Sequence, residues 1–186
     1  MNKRLWIALV VYVLWITITL ARAKWLLGGE EAGLDELLKN GLGWQFVGAV
    51  ALLFAAIAAF KWRDMRFGAP HSLFKIVWFP ILVLLGISSL ALTTGMPEGK
   101  VVFFVAFNTF LVNLSEEVMF RGVLFRALLE KFKVWPAILV TTVPFGAVHV
   151  LNGFTTGDRG GALLQAVAAG MSGLIFIVIR SGSIWP

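Results

Sequence analysis

The sequence predicts an all-α, polytopic transmembrane helical bundle, and three observations carry that prediction. The 186-residue chain is 59% hydrophobic, with a mean hydropathy of +0.88, whereas soluble domains are roughly 45–50% apolar. Its apolar residues fall into runs near the roughly 20 residues that a spanning helix needs. Tryptophans and basic residues bracket those runs, as expected at the two faces of a bilayer.

Six apolar segments are legible. The first, Leu5–Ala21, is flanked by Trp6 and Trp25, and the second, Trp44–Phe60, by Trp44 and Trp62. The third is Ile76–Thr93. The fourth runs from Val101 to a point between Leu114 and Leu129. The fifth and sixth are Val134–Leu151 and Ala162–Ile179. Placing the N-terminus in the cytoplasm puts most of the 16 basic residues inside, from Lys3 and Arg4 through Arg63 and Arg121 to Arg180. That bias favours both termini inside. The net charge of +6 therefore points to cytoplasmic loops and not to nucleic acid. With no cysteine, there is no disulfide framework and no thiolate nucleophile or metal ligand.

Between the first two segments lies an acidic loop, WLLGGEEAGLDELLKNGLGW. Its Leu34, Leu37 and Leu38 are spaced for a short interfacial helix. A second reading of the N-terminus is a signal peptide, with Ala21–Ala23 as its cleavage site. At the other end, IRSGSIWP reads as an exit turn followed by the start of a further helix, with Ser183 as its N-cap. A truncated chain is the expectation there. Residues 1–100 form a region of membrane helices with the acidic loop, and residues 101–186 a core that carries the chemistry.

That chemistry centres on NLSEEVMFRGVLF, where Glu116 and Glu117 stand side by side in an apolar run. Glu117 and Arg121 are four apart and share a helix face, so the arginine can neutralise Glu117. Glu116 is turned away by about 100° on an α-helix and is left over. A spare carboxylate at membrane depth points to function. The bland alternative is that both glutamates sit at a helix end in water.

The next segment holds His149, one of two histidines, in VPFGAVHVLNG, one turn after Phe145. Alone, it reads as a core histidine bonded to a carbonyl or to Asn152. The charged break EKFKVWP, Glu130–Pro136, is a helix-hairpin turn. Glu116 and His149 stand at equal distance from its centre, each roughly 25 Å along its helix, so the two are expected to face each other. A carboxylate beside an imidazole can take a proton from water while that water attacks a peptide carbonyl. The imidazole orients the water or steadies the developing charge. The same pair also suits a proton relay in a small transporter.

Glu116-Glu117-x-x-x-Arg121, followed by Phe145-x-x-x-His149 on the next helix, resembles the CAAX prenyl endopeptidase type II family. These are the CPBP or Abi intramembrane proteases, which include bacteriocin self-immunity and lysostaphin-resistance-like proteins. The resemblance covers about Val101–Pro186. It implies an integral-membrane endopeptidase in which Glu116 activates water, His149 assists, and Glu117, Arg121 and Phe145 support the site. The substrate would be a membrane-anchored, CAAX-like peptide or protein within the lipid bilayer, and the expected location a bacterial cell membrane. The family usually has a later histidine with an asparagine or aspartate that steadies the oxyanion. No histidine follows His149 here, so weak or absent proteolysis is expected, with Asn152 as a partial substitute. A non-catalytic immunity or partner protein of the same fold is the alternative. The resemblance favours a metal-free mechanism, and a divalent ion such as zinc is the second arrangement, although zinc prefers three or four ligands.

Three further features stand outside these motifs. His71 lies in a basic loop and reads as a surface residue. Asn108 and Asn113 are expected to bond to other helices. Ala166, Ala169, Gly170 and Gly173 would let the sixth segment approach its neighbours closely.

Overall fold

The computed structural model describes residues 2–20, 41–65, 73–96 and 98–182, and these residues contain helices and no strand. The acidic loop and its expected helix, the would-be cleavage site, His71 and the turn at Ser183 lie outside the described residues.

Helix α1, Lys3–Thr19, opens on Asn2, whose side chain accepts a hydrogen bond from the Arg4 amide, a standard way to satisfy an orphan N-terminal donor. Helix α2 is Trp44–Ala59 and α3 is Leu73–Thr94. Helix α4, Gly99–Glu116, passes without a break into a π-helical segment, Glu117–Leu124, and then into α5, Phe125–Leu129. Together they make one continuous helix of 31 residues, Gly99–Leu129. After the turn come α6, Val134–Val150, the short α7, Asn152–Thr156, and α8, Arg159–Gly182. Gly157, at φ 75°, ends α7 in the left-handed region, where the absence of a Cβ removes the steric cost.

Among the described residues, two helices are long and apolar enough to cross a membrane, Gly99–Leu129 and Val134–Phe154. The apolar stretches Trp44–Ala59 and Leu84–Thr93 are shorter.

The core lies where α1, α2 and the π-helical segment meet. Leu5, Ala8, Val11 and Trp15 of α1 join Ala49, Leu53 and Ala56 of α2 against Phe120 and Val123. Trp15 and Phe120 meet edge to face, with ring centroids 5.5 Å apart, a favoured aromatic geometry. Helix α6 packs along α8, and a Cβ on Gly146 would come within 2.9 Å of the Ala166 carbonyl oxygen. The expected close approach of the sixth segment is therefore real, and it brings backbone against backbone.

Two polar ties hold the layers. Asn108 is buried on α4, accepts from the Gly43 amide at 2.9 Å and donates to the Gly41 carbonyl at 3.0 Å. It thus anchors the chain entering α2, whereas Asn113 is exposed. At the other end, Arg4 reaches Asp64 at 2.7 Å and Glu130 at 3.0 Å, and Asn2 also donates to Glu130. These contacts join the start of α1, the turn after α2 and the hairpin turn before α6. The Arg4 guanidinium lies over the Trp62 ring at 5.3 Å. Neighbouring Arg4 holds the Asp64 carboxyl below the usual carboxylate range: burial, the largest single influence, raises it, but the hydrogen bond and charge of Arg4, with a smaller contribution from Arg126, outweigh that.

Candidate active site

The hairpin formed by the long helix and α6 brings Glu116 and His149 together. Glu116 Oε1 stands 3.7 Å from His149 Nε2, and the two side chains are only 16% and 12% exposed. That distance is too long for a direct hydrogen bond, but a water oxygen seated beside the pair can reach both at about 2.8 Å. The equal spacing from the turn read in the sequence is matched by the observed contact.

His149 is oriented by its own helix. Its Nδ1 lies 2.9 Å from the Phe145 carbonyl oxygen. A carbonyl only accepts, so Nδ1 carries the proton, and in the neutral ring Nε2 is the bare nitrogen. It is this nitrogen that faces Glu116. A second-partner bond of this kind is what selects a histidine tautomer. The core-histidine reading and the functional one thus describe the two edges of one ring.

The neighbouring glutamate behaves differently. Glu117 Oε1 is 3.3 Å from Arg121 Nη1, as expected of the pair, but the burial is reversed: Arg121 is 2% exposed and Glu117 46%. The arginine, not the glutamate, is the charge held inside. Its guanidinium carbon lies 4.2 Å from the centre of the Phe145 ring, within cation–π range. Glu116 and Glu117 keep α-helical backbone angles, and the Glu117 amide still bonds back to Asn113. The ladder changes over the residues that follow, Glu117–Leu124, where the Phe125 amide bonds back to Phe120, the i→i+5 spacing of a π-helix. Such segments are rare and frequently occur at functional sites.

Phe145 connects these groups. Its ring meets Phe120 edge to face at 4.9 Å and His149 at 5.3 Å. Phe120 in turn meets Tyr12 of α1 at 5.6 Å, and the Tyr12 hydroxyl donates to the Pro144 carbonyl at 3.4 Å. An aromatic stack therefore runs from α1 to the imidazole. Tyr12, Trp15 and Phe120 were not singled out from sequence, because each sits in an apolar run where an aromatic is ordinary. The position of Phe120 beside Arg121 was the only available signal. Asn152 opens α7, and its amide donates to Gln165 Oε1 on α8 at 2.9 Å. Among the described residues, no group of three or more histidine, aspartate or glutamate side chains is placed to hold a metal ion.

The hairpin joins two helices long and apolar enough to cross a membrane, and it apposes a carboxylate and an imidazole in a poorly exposed position, an arrangement suited to acid–base work. Residues 98–186 match the family model of type II CAAX prenyl endopeptidases, Rce1-like. The resemblance read from Glu116-Glu117-x-x-x-Arg121 and Phe145-x-x-x-His149 is thereby shown, and an Rce1-like domain occupies the C-terminal part of this chain. No curated protein and no solved structure matches the chain.

Proposed function

We propose that the chain is an integral-membrane endopeptidase of the glutamate type, acting on a peptide bond in a membrane-anchored, CAAX-like substrate. The observation that carries this reading is the 3.7 Å approach of Glu116 to His149 with little solvent access. The Rce1-like domain at residues 98–186 supports a CAAX protease-type function. In the proposed reaction, Glu116 takes a proton from a water held beside both side chains. The water oxygen bonds to the peptide carbonyl carbon, and the carbonyl oxygen becomes the oxyanion. His149 orients the water through Nε2. The proton held by Glu116 then passes to the amide nitrogen as the carbon–nitrogen bond breaks. Glu117, Arg121 and Phe145 hold the frame, and Asn152 fixes the end of α6 against α8.

The proposed topology has six spans with the N-terminus in the cytoplasm, so that the Arg4–Asp64–Glu130 cluster lies at the cytoplasmic face. The reaction as written uses no cofactor. If a divalent ion such as zinc took part instead, a chelator would abolish cleavage; unchanged cleavage is expected.

The test is hydrolysis of membrane-anchored peptides in liposomes. Glu116→Gln is expected to lower turnover by roughly 10²–10⁴, the usual share of a general base. Unchanged turnover in that variant would overturn the glutamate mechanism. Absence of any cleavage by the unaltered chain would favour a non-catalytic partner or immunity role. Proton-coupled uptake lost in Glu116→Gln would favour a transporter.

A further inference from the structure

Four groups surround the Phe145 ring, and three of them are side chains: Phe120 at 4.9 Å, the Arg121 guanidinium at 4.2 Å and His149 at 5.3 Å. The fourth is Gly173 of α8, which contributes nothing but backbone. A Cβ placed there would stand 2.5 Å from Phe145 Cδ1, 3.0 Å from Cε1 and 3.4 Å from Arg121 Nη2. Real Cβ atoms do not approach a ring so closely, so a side chain at this position must push something aside.

What moves is determined by the surroundings. Retreat of helix α8 from α6 would give up the close backbone packing of Gly146 against Ala166 and Gly170. The Phe145 ring is rigid and is backed by fully buried Phe120 and Arg121. Displacing Phe145 strains both of its links to His149: the ring edge at 5.3 Å and the carbonyl that receives the Nδ1 proton at 2.9 Å. Gly170, one turn earlier on the same helix, differs. A Cβ there would meet only the Gly146 Cα at 3.9 Å, an ordinary van der Waals contact.

We infer that Gly173 is a positioning residue for the imidazole: its missing side chain leaves the space in which Phe145 holds His149 with Nδ1 protonated and Nε2 toward Glu116. The inference rests on the reading of Glu116 and His149 as the reacting pair, but its test does not depend on turnover. Alanine at 170 and alanine at 173 raise helix propensity alike, so any difference between them reports the contact with Phe145.

The experiment uses the full chain in lipid nanodiscs, labelled with ¹⁵N-histidine and carrying His71→Gln, so that His149 is the one imidazole observed. At a pH where the ring is neutral, the starting protein should show a single tautomer with Nδ1 protonated. Gly173→Ala should shift both ring nitrogens toward a mixture of tautomers, and Gly170→Ala should leave them unchanged. In a Phe145→Leu background, Gly173→Ala should add nothing further. Identical ring-nitrogen signals in Gly173→Ala and the starting protein would overturn the inference, as would equal shifts in the two alanine variants. If Gly173→Ala alone does not fold, the Phe145→Leu/Gly173→Ala protein decides. Recovery of the folded state supports the contact as the cause, and failure to recover refutes it. A tautomer shift in Gly173→Ala, together with cleavage that survives Glu116→Gln, would uphold the positioning role and remove the catalytic reading.

Discussion

The two halves of the long helix Gly99–Leu129 are built on opposite principles. In α4, only Asn108, Leu111 and Ser115 are buried, and Phe103, Phe107 and Phe110 face outward. From Val118 to Leu128 every residue is buried, including Arg121 and Arg126. Three aromatic rings lie outside in the first half, and two guanidinium groups lie inside in the second. In water this would be an inverted arrangement. In lipid it is consistent, because the apolar outer face has nothing to escape from, while a charge avoids hydrocarbon by turning toward protein partners. The inside of such a molecule is therefore identified by its polar groups.

The largest break in that comparison should come from truncating one aromatic in each half. Phe120→Ala removes a fully buried ring that touches Tyr12, Trp15 and Phe145, and should cost about 3–5 kcal/mol. Phe103→Ala, on a ring that is 61% exposed, should change stability by about 0.5 kcal/mol or less. Thermal unfolding in detergent measures both, and equal losses would show that the two halves are not distinguished by burial.

Next in size is Arg121→Ala. Its partner Glu117 is half-exposed, so the ion pair itself counts for little. The desolvated contact with Phe145 is worth about 2 kcal/mol. Arg121→Ala should therefore lower folded yield more than Glu116→Gln, which keeps the shape of the side chain it replaces. Equal yields would show that the arginine does not support the frame.

The smallest effect belongs to the polar clasp at the hairpin turn. Arg4 lowers the Asp64 carboxyl from its ordinary value of 3.8. The contribution of that group is complete above this value and is lost as pH falls below it, through the folded-state value. Asp64 is partly exposed, so the change is expected to be a few tenths of a kcal/mol, roughly. Melting curves between pH 5 and pH 3 should show a shallower decline for Asp64→Asn than for the unaltered chain. Identical slopes would leave the clasp without a role in acid stability.

Helix after helix, the apolar runs and their breaks were legible in the sequence, since hydropathy and turn chemistry are local properties. The pairing of Glu116 with His149 was legible too, because a tight hairpin makes position along one helix predict position along the other. The division of labour between the two glutamates was only half legible: spacing names the Glu117–Arg121 pair, but burial depends on what lies across the helix. Only the tertiary structure decided the change to a π-helix at Glu117, the inward placement of Arg121 and the aromatic stack from Tyr12 to His149. It also showed that Gly173 leaves room for a ring where Gly146 leaves room for a backbone. Each of these arises from contact between segments distant in the chain, and a sequence pattern records which side chains are present without recording what stands opposite them.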